Sequence, residues 1–396
     1  MYVVHPTSKL EPYEFPFLPP YRGPRFPDAL PDRFGHFDYL EPGTPAFNAA
    51  HLYGAVRRVL DIWEAYFERE IPWRFRAPRS RLELIAFVDW NNAQCGYGYL
   101  EVGYGESETG GARLPYCLNF DVLAHETGHG IIYSELGVPA THAVTTEYRG
   151  FQEASADLVA LISAMHFDSV VDRVLLKSAG NIYAENELNR IGELSETEQI
   201  RHASNEYKMS DVPDVRIPPE LLSQPELHLA GEPLTGAGFD ILVEIYQELL
   251  VELGLIDGRT ADLSYHVPQN QDSAGLIQER FDRAYRGRHA GFALALRQAR
   301  DCVGRILALA WSGLSPDFLS YRGVAAALLD AERIVSGGRF RRLIEENLAW
   351  REIPLPEPAG RATSREDLAG PAAARAIAAR IRRRGVSALR RGFLLV

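Results

Sequence analysis

Leu123-Ala124-His125-Glu126-Thr127-Gly128-His129-Gly130 places two histidines four residues apart with a glutamate beside the first. On a helix, residues at that spacing lie one turn above each other, so both imidazoles reach one ion while Glu126 projects alongside. Zinc favours nitrogen ligands of this kind, accepts a third protein ligand and leaves a fourth position for water. Coordination brings the water's pKa towards neutrality, and a neighbouring carboxylate can then take its proton. His125 and His129 are therefore candidate metal ligands and Glu126 the candidate general base. With 11 histidines in 396 residues, chance supplies roughly 0.02 such patterns per chain, which leaves little room for two histidines placed only for packing.

A second carboxylate pair follows in Gln152-Glu153-Ala154-Ser155-Ala156-Asp157, where Glu153 and Asp157 again sit one helical turn apart. The interval from His129 suffices for a helix end, a loop and a returning helix. Glu153 is the candidate third ligand. A metal-bound imidazole usually donates its other N–H to a carboxylate, and Asp157 is the candidate for that position.

Around these motifs the apolar spacing predicts helices over Phe47–Glu70, Asn119–Leu136, Gly150–Phe167, Gly238–Leu253, Ser273–Tyr285, Ala290–Leu309 and Val324–Glu346. Leu82–Val88 and Tyr97–Tyr104 read as strands, so a small sheet precedes the metal motif. Segments 193–232 and 254–270 are polar and read as long loops. Prolines recur between Pro6 and Pro45, which blocks helices and central strands, while Tyr13, Tyr21, Phe26, Phe34 and Phe37 suit an arm that packs over the body. Occupation of a cleft by this arm is the sharper alternative. The expected organisation is an extended arm over 1–45, a catalytic lobe with edge strand and metal helix over 46–136, a mainly helical lobe over 137–350 and an Arg/Ala-rich tail over 351–396.

A net charge of -11 excludes general attraction to nucleic acid, whose phosphates demand a broad basic surface. The opening MYVVHPTSKLEPYEFPFLPP shows no basic region followed by an unbroken apolar stretch, so no transmembrane segment is expected and the location is read as cytoplasmic. Cys95, Cys117 and Cys302 have no metal-ligand spacing and are expected as reduced thiols. The tail, with Arg375, Arg380, Arg382, Arg383 and Arg384, is either a solvated end or a contact for an acidic partner.

Together these residues resemble the thermolysin-like metallopeptidases of the gluzincin group. Phe47–Phe67 looks like that family's early helix, and Leu84–Ala93 like its edge strand ending in Asn91-Asn92-Ala93, which in the family pairs with the substrate backbone. The resemblance thus implies Asn92 and Ala93 as substrate contacts. Asp121-Val122-Leu123-Ala124-His125-Glu126 is similar to the family's approach to its metal helix, and Glu153-Ala154 with Asp157 matches its third-ligand helix. His228-Leu229-Ala230-Gly231-Glu232 looks like the His-x-x-Gly-Glu pattern of the fungalysins, which implies His228 as oxyanion donor, with Tyr148 as the accompanying tyrosine. The family's acidic calcium loops are poorly reproduced by Gly105-Glu106-Ser107-Glu108, and Asp121 matches one calcium-ligand position, so calcium stays open beside zinc.

The implied fold is α+β, a thermolysin-like zincin with a small β-sheet lobe, a mainly α-helical C-terminal lobe and the active-site cleft between them. The implied activity is zinc-dependent hydrolysis of a peptide or protein substrate. Endopeptidase action is favoured because no glycine-rich amine-binding motif precedes the metal helix, and narrow specificity suits a cytoplasmic setting. The alternative is a non-catalytic peptide-binding protein on the same scaffold.

Overall fold

Tyr2–Val4 precedes the chain's first proline and forms a strand, β1. In the computed structural model, which describes residues 1–14, 18–73, 75, 81–105, 113–193, 199–265 and 273–357, β1 pairs in parallel with β2 (Glu83–Ile85). β3 (Ala93–Gly96) and β4 (Tyr99–Val102) form a hairpin through Tyr97-Gly98. Gly98 there has φ 92°, which a side chain would disfavour. β4 pairs in parallel with β2, so the sheet order is β1-β2-β4-β3.

The edge strand is therefore β3, which begins at Ala93, and not the run Leu84–Ala93 expected from the sequence. Leu84 and Ile85 are completely buried because β1, formed by residues ahead of the first proline and read from the sequence only as part of the extended arm, takes the outer position. The rest of the arm folds back over the sheet. Tyr13 packs edge-on against Tyr99 at 5.0 Å, the Tyr2 and Tyr13 hydroxyls both donate to Glu83, and Lys9 pairs with Glu101 at 2.7 Å.

Beneath the sheet runs α1 (Pro45–Phe67), capped by the Thr44 hydroxyl and stopped at Glu68, whose φ is 55°. Its stripe of Leu52, Val56, Val59, Leu60 and Trp63 is buried. Trp63 stacks on Trp311 with ring centroids 4.8 Å apart and donates to Ser163 Oγ at 3.1 Å. One side chain thus ties α1 to two later helices, α3 (Thr146–Ala164) and α9 (His289–Trp311). Truncating so large a buried group would cost about 3–5 kcal/mol.

α2 (Phe120–Glu135) packs against α3, with the short hairpin of β5 (Tyr104–Gly105) and β6 (Leu114–Pro115) before it. The chain continues through α4 (Asp168–Ser178) to a third hairpin, β7 (Arg190–Glu193) and β8 (Gln199–His202). Then come α5 (Gln224–Leu229), α6 (Glu232–Glu252), α7 (Gly258–Ser264), α8 (Ala274–Tyr285), α9, α10 (Tyr321–Val335) and α11 (Arg341–Trp350). The architecture is α+β, a small sheet in the N-terminal region and helices beyond it.

The segments read as loops thus contain the end of β7, β8, α5 and α7, elements too short for a periodic stripe. The single helix expected over Val324–Glu346 is two, because Gly337 and Gly338 both have positive φ, 79° and 92°. Buried residues from Leu52 to Ile353 form one cluster, with a second, smaller one of Val4, Tyr13, Ile85, Val88 and Tyr99 under the arm. No helix among the described residues is long and apolar enough to cross a membrane. The basic tail from 358 and Glu106–Glu108 of the calcium-loop comparison lie outside the described residues.

Candidate metal centre and cleft

Asn119 starts α2 by accepting the Val122 N–H at 3.1 Å, and Thr145 does the same for α3 with the Tyr148 N–H at 3.0 Å. The two helices run antiparallel and very close. A Cβ built on Gly128 would stand 2.7 Å from the Ala156 backbone, so only glycine lets the ligand-bearing turn of α2 lie on α3. Across this contact His125 faces Asp157 and His129 faces Glu153.

The His125 and His129 Nε2 atoms are 3.1 Å apart. Glu153 offers Oε2 at 3.6 Å from the first and Oε1 at 3.8 Å from the second. Two ligands bound to a tetrahedral ion at zinc–ligand lengths lie roughly 3.3 Å from each other, so the three groups fit a zinc-sized cation. The tautomers fit as well. His125 donates from Nδ1 to Asp157 Oδ1 at 2.8 Å, so the proton that a cation displaces is the one on Nε2, whose lone pair then faces the other ligands. Among the described residues these three are the group of His, Cys, Asp or Glu whose ligand atoms converge; Asp121 lines the cleft but is not part of it.

Sequence reasoning missed Arg201, carried into the site by β8. It donates to Asp157 from Nη2 at 2.7 Å and from Nε at 3.2 Å, and Thr235 adds a bond at 3.3 Å. Burial pushes the Asp157 carboxyl up, but Arg201 and His125 outweigh it and hold the group down at about 2. Burial and the Arg201 cation push His125 down, and Asp157 and Glu153 outweigh them to lift it to about 9. For Glu153, too, burial is overcome, by His129, His125 and His228, which hold it well below the usual carboxylate range. No local signal marks Arg201, because hairpin pairing alone brings it to helix α3.

His228 lies on α5 with Nε2 at 3.2 Å from Glu153 Oε2 and Nδ1 hydrogen-bonded to the Gln224 carbonyl at 2.8 Å. The Glu153 carboxylate raises its pKa. The junction behind it is tight. Tyr321 donates to the Ala230 carbonyl at 2.5 Å, and a Cβ on Gly231 would stand 2.7 Å from the Gly150 carbonyl.

Around the metal-ligand group opens a cleft of about 1020 Å³, lined by Glu126, Asn92, Ala93, Gln94, Tyr133 and His228 among others. No described residue of the arm lines it. Tyr148 is placed apart, buried, its hydroxyl accepting from Gln152 at 2.9 Å; it lines an adjoining hollow instead.

No protein-family model and no curated protein matches the chain. Among solved structures it is similar to the precursor of protealysin, a metalloproteinase from Serratia proteamaculans, with a TM-score of 0.35 and 14% identity over 72% of this chain and 85% of that one. Likeness at that level assigns neither family nor activity.

Proposed function

We propose that the chain is a zinc-dependent peptidase of the thermolysin-like kind, an endopeptidase of narrow specificity. The observation that carries this reading is the convergence of His125, His129 and Glu153 beside Glu126 at the floor of a cleft edged by a strand. When bound, zinc would supply Lewis acidity towards the scissile carbonyl and acidify a water. Glu126 takes the proton from that water and returns it to the leaving amine. His228, protonated on Nε2, donates to the oxyanion that develops on the carbonyl oxygen. Asp157, anchored by Arg201, keeps the His125 tautomer in place. Asn92 and Ala93 lead into the edge strand, against which an extended peptide adds as a further strand.

The test pairs metal analysis with a substitution that spares the ligands. The wild type should hold about one zinc per chain, and Glu126→Gln should keep it while hydrolysis of a proteome-derived peptide library falls by about a thousandfold or more. Undiminished turnover in Glu126→Gln would overturn the mechanism. A zinc-loaded wild type that binds peptides without cleaving any would favour the non-catalytic reading.

A further inference from the structure

The stripes that carry the metal ligands do not end with them. On α2, His125 and His129 are followed one turn later by Tyr133; on α3, Asp157 and Glu153 are preceded one turn earlier by Arg149. Antiparallel packing makes three rungs of this, with Tyr133 and Arg149 as the third. The Arg149 cation acts electrostatically on Tyr133.

In the first two rungs the side chains face each other as His125–Asp157 at 2.8 Å and His129–Glu153 at 3.8 Å; the third has no such pairing. Among the described residues Arg149 has no ion pair and no side-chain hydrogen bond, and the Tyr133 hydroxyl donates to nothing. Both line the main cleft and also a side hollow of about 200 Å³ walled by Tyr97, Val138, Pro139 and Val144. Its described lining contains no carboxylate, although the chain as a whole carries a net charge of -11. A guanidinium and a phenol aimed into one apolar hollow are donors for an anion, and the planar fork of arginine suits a carboxylate. Four residues of helix advance about 6 Å, which is one or two residues of extended peptide from the metal ligands.

We propose that Tyr133 and Arg149 form a carboxylate-binding subsite, which selects peptides carrying an acidic group within one or two residues of the cleaved bond. This rests on the peptidase reading above. The carboxylate is either an Asp or Glu side chain, which fits endopeptidase action, or the peptide's own C-terminus, which would keep the hydrolysis and replace endopeptidase action by release of short C-terminal fragments.

Two peptide series separate these sources. In one, members differ only by Asp or Glu against Asn or Gln beside the cleaved bond; in the other, only by a free or amidated C-terminus. The zinc-loaded wild type should cleave the carboxylate member of one series with about tenfold higher kcat/KM than its amide. Arg149→Ala should bring that ratio close to one, Arg149→Glu should turn preference towards lysine, and Tyr133→Phe should reduce the ratio by about two- to fivefold. Arg149 is exposed, so its variants should fold. A wild-type ratio near one in both series, or a ratio that survives in Arg149→Ala, overturns the subsite. If no peptide is cleaved, the peptidase reading falls instead. Calorimetric binding of the same pairs to wild type and Arg149→Ala then decides the subsite, equal affinities for acid and amide counting against it.

Discussion

Glu232, the first residue of α6, has its carboxyl buried where Asn205 donates to it at 2.8 Å. Burial and the nearby Asp157 carboxylate push it up to about 7, against the opposing pull of Arg201, Arg351 and His228. The sign follows directly: the folded state holds this proton more tightly than the unfolded chain, whose glutamate titrates near 4.5. The stability is therefore fully present below pH 4.5 and is lost as pH rises through about 7. The full effect is about 3 kcal/mol. Glu232→Gln keeps an acceptor for Asn205 without the charge, so urea unfolding at pH 5 and pH 8 should show a smaller loss of stability in the variant than in the wild type. Equal losses would mean that Glu232 is ionised in the fold without strain. At this scale, residues that act through helical spacing were legible from sequence: His125, Glu126, His129, Glu153 and Asp157 are brought together by one contact between two helices. Arg201 was not, because its partner Asp157 lies 44 residues away along the chain and only β-pairing joins them.

The α2–α3 contact depends on one missing methyl group. Because a Cβ at position 128 would run into the Ala156 backbone at 2.7 Å, no flexible side chain can yield, and Gly128→Ala should cost about 1–3 kcal/mol. Pushing the helices apart also separates the ligands, so zinc affinity should fall by about tenfold or more. Gly54 gives the contrast, since a Cβ there meets nothing within 4 Å on the outer face of α1, and Gly54→Ala should stabilise by about 0.5–1 kcal/mol. Thermal unfolding and a competitive zinc titration check both. A Gly128→Ala protein with wild-type zinc affinity would show that the site tolerates a wider spacing. Long amphipathic helices were legible because their stripes repeat over several turns. β1, α5 and α7 were not, being three, six and seven residues long. Gly337-Gly338 carried a readable break that the surrounding apolar pattern overrode.

Across the whole molecule two buried carboxylates, Glu83 and Glu101, tie the arm to the sheet, and Glu101 extends the tie to the cleft through Gln94. Glu101, fully buried, accepts from Lys9 at 2.7 Å and from Gln94 at 2.6 Å, and Gln94 also donates to the Tyr13 carbonyl at 3.1 Å. The arm thereby holds a residue of the strand that edges the cleft. Lys9→Met leaves the Glu101 charge buried without its cation and should cost about 3 kcal/mol, most of it recovered in Lys9→Met/Glu101→Gln. Urea midpoints of the single and double variants decide this; a double variant no better than the single would place the loss in packing of the lysine stem.

The same connection orders events in time. Tyr2 meets Glu83 across an interval of 81 residues, and Lys9 meets Glu101 across 92. During synthesis the arm therefore emerges before β2 and β4 and waits, its tyrosines and lysine without these partners, until β4 has left the ribosome. Closure of the sheet is a long-range step, and long-range pairing forms more slowly than local helix, so until then the nascent chain carries an open strand edge on which a chaperone or a second copy can settle.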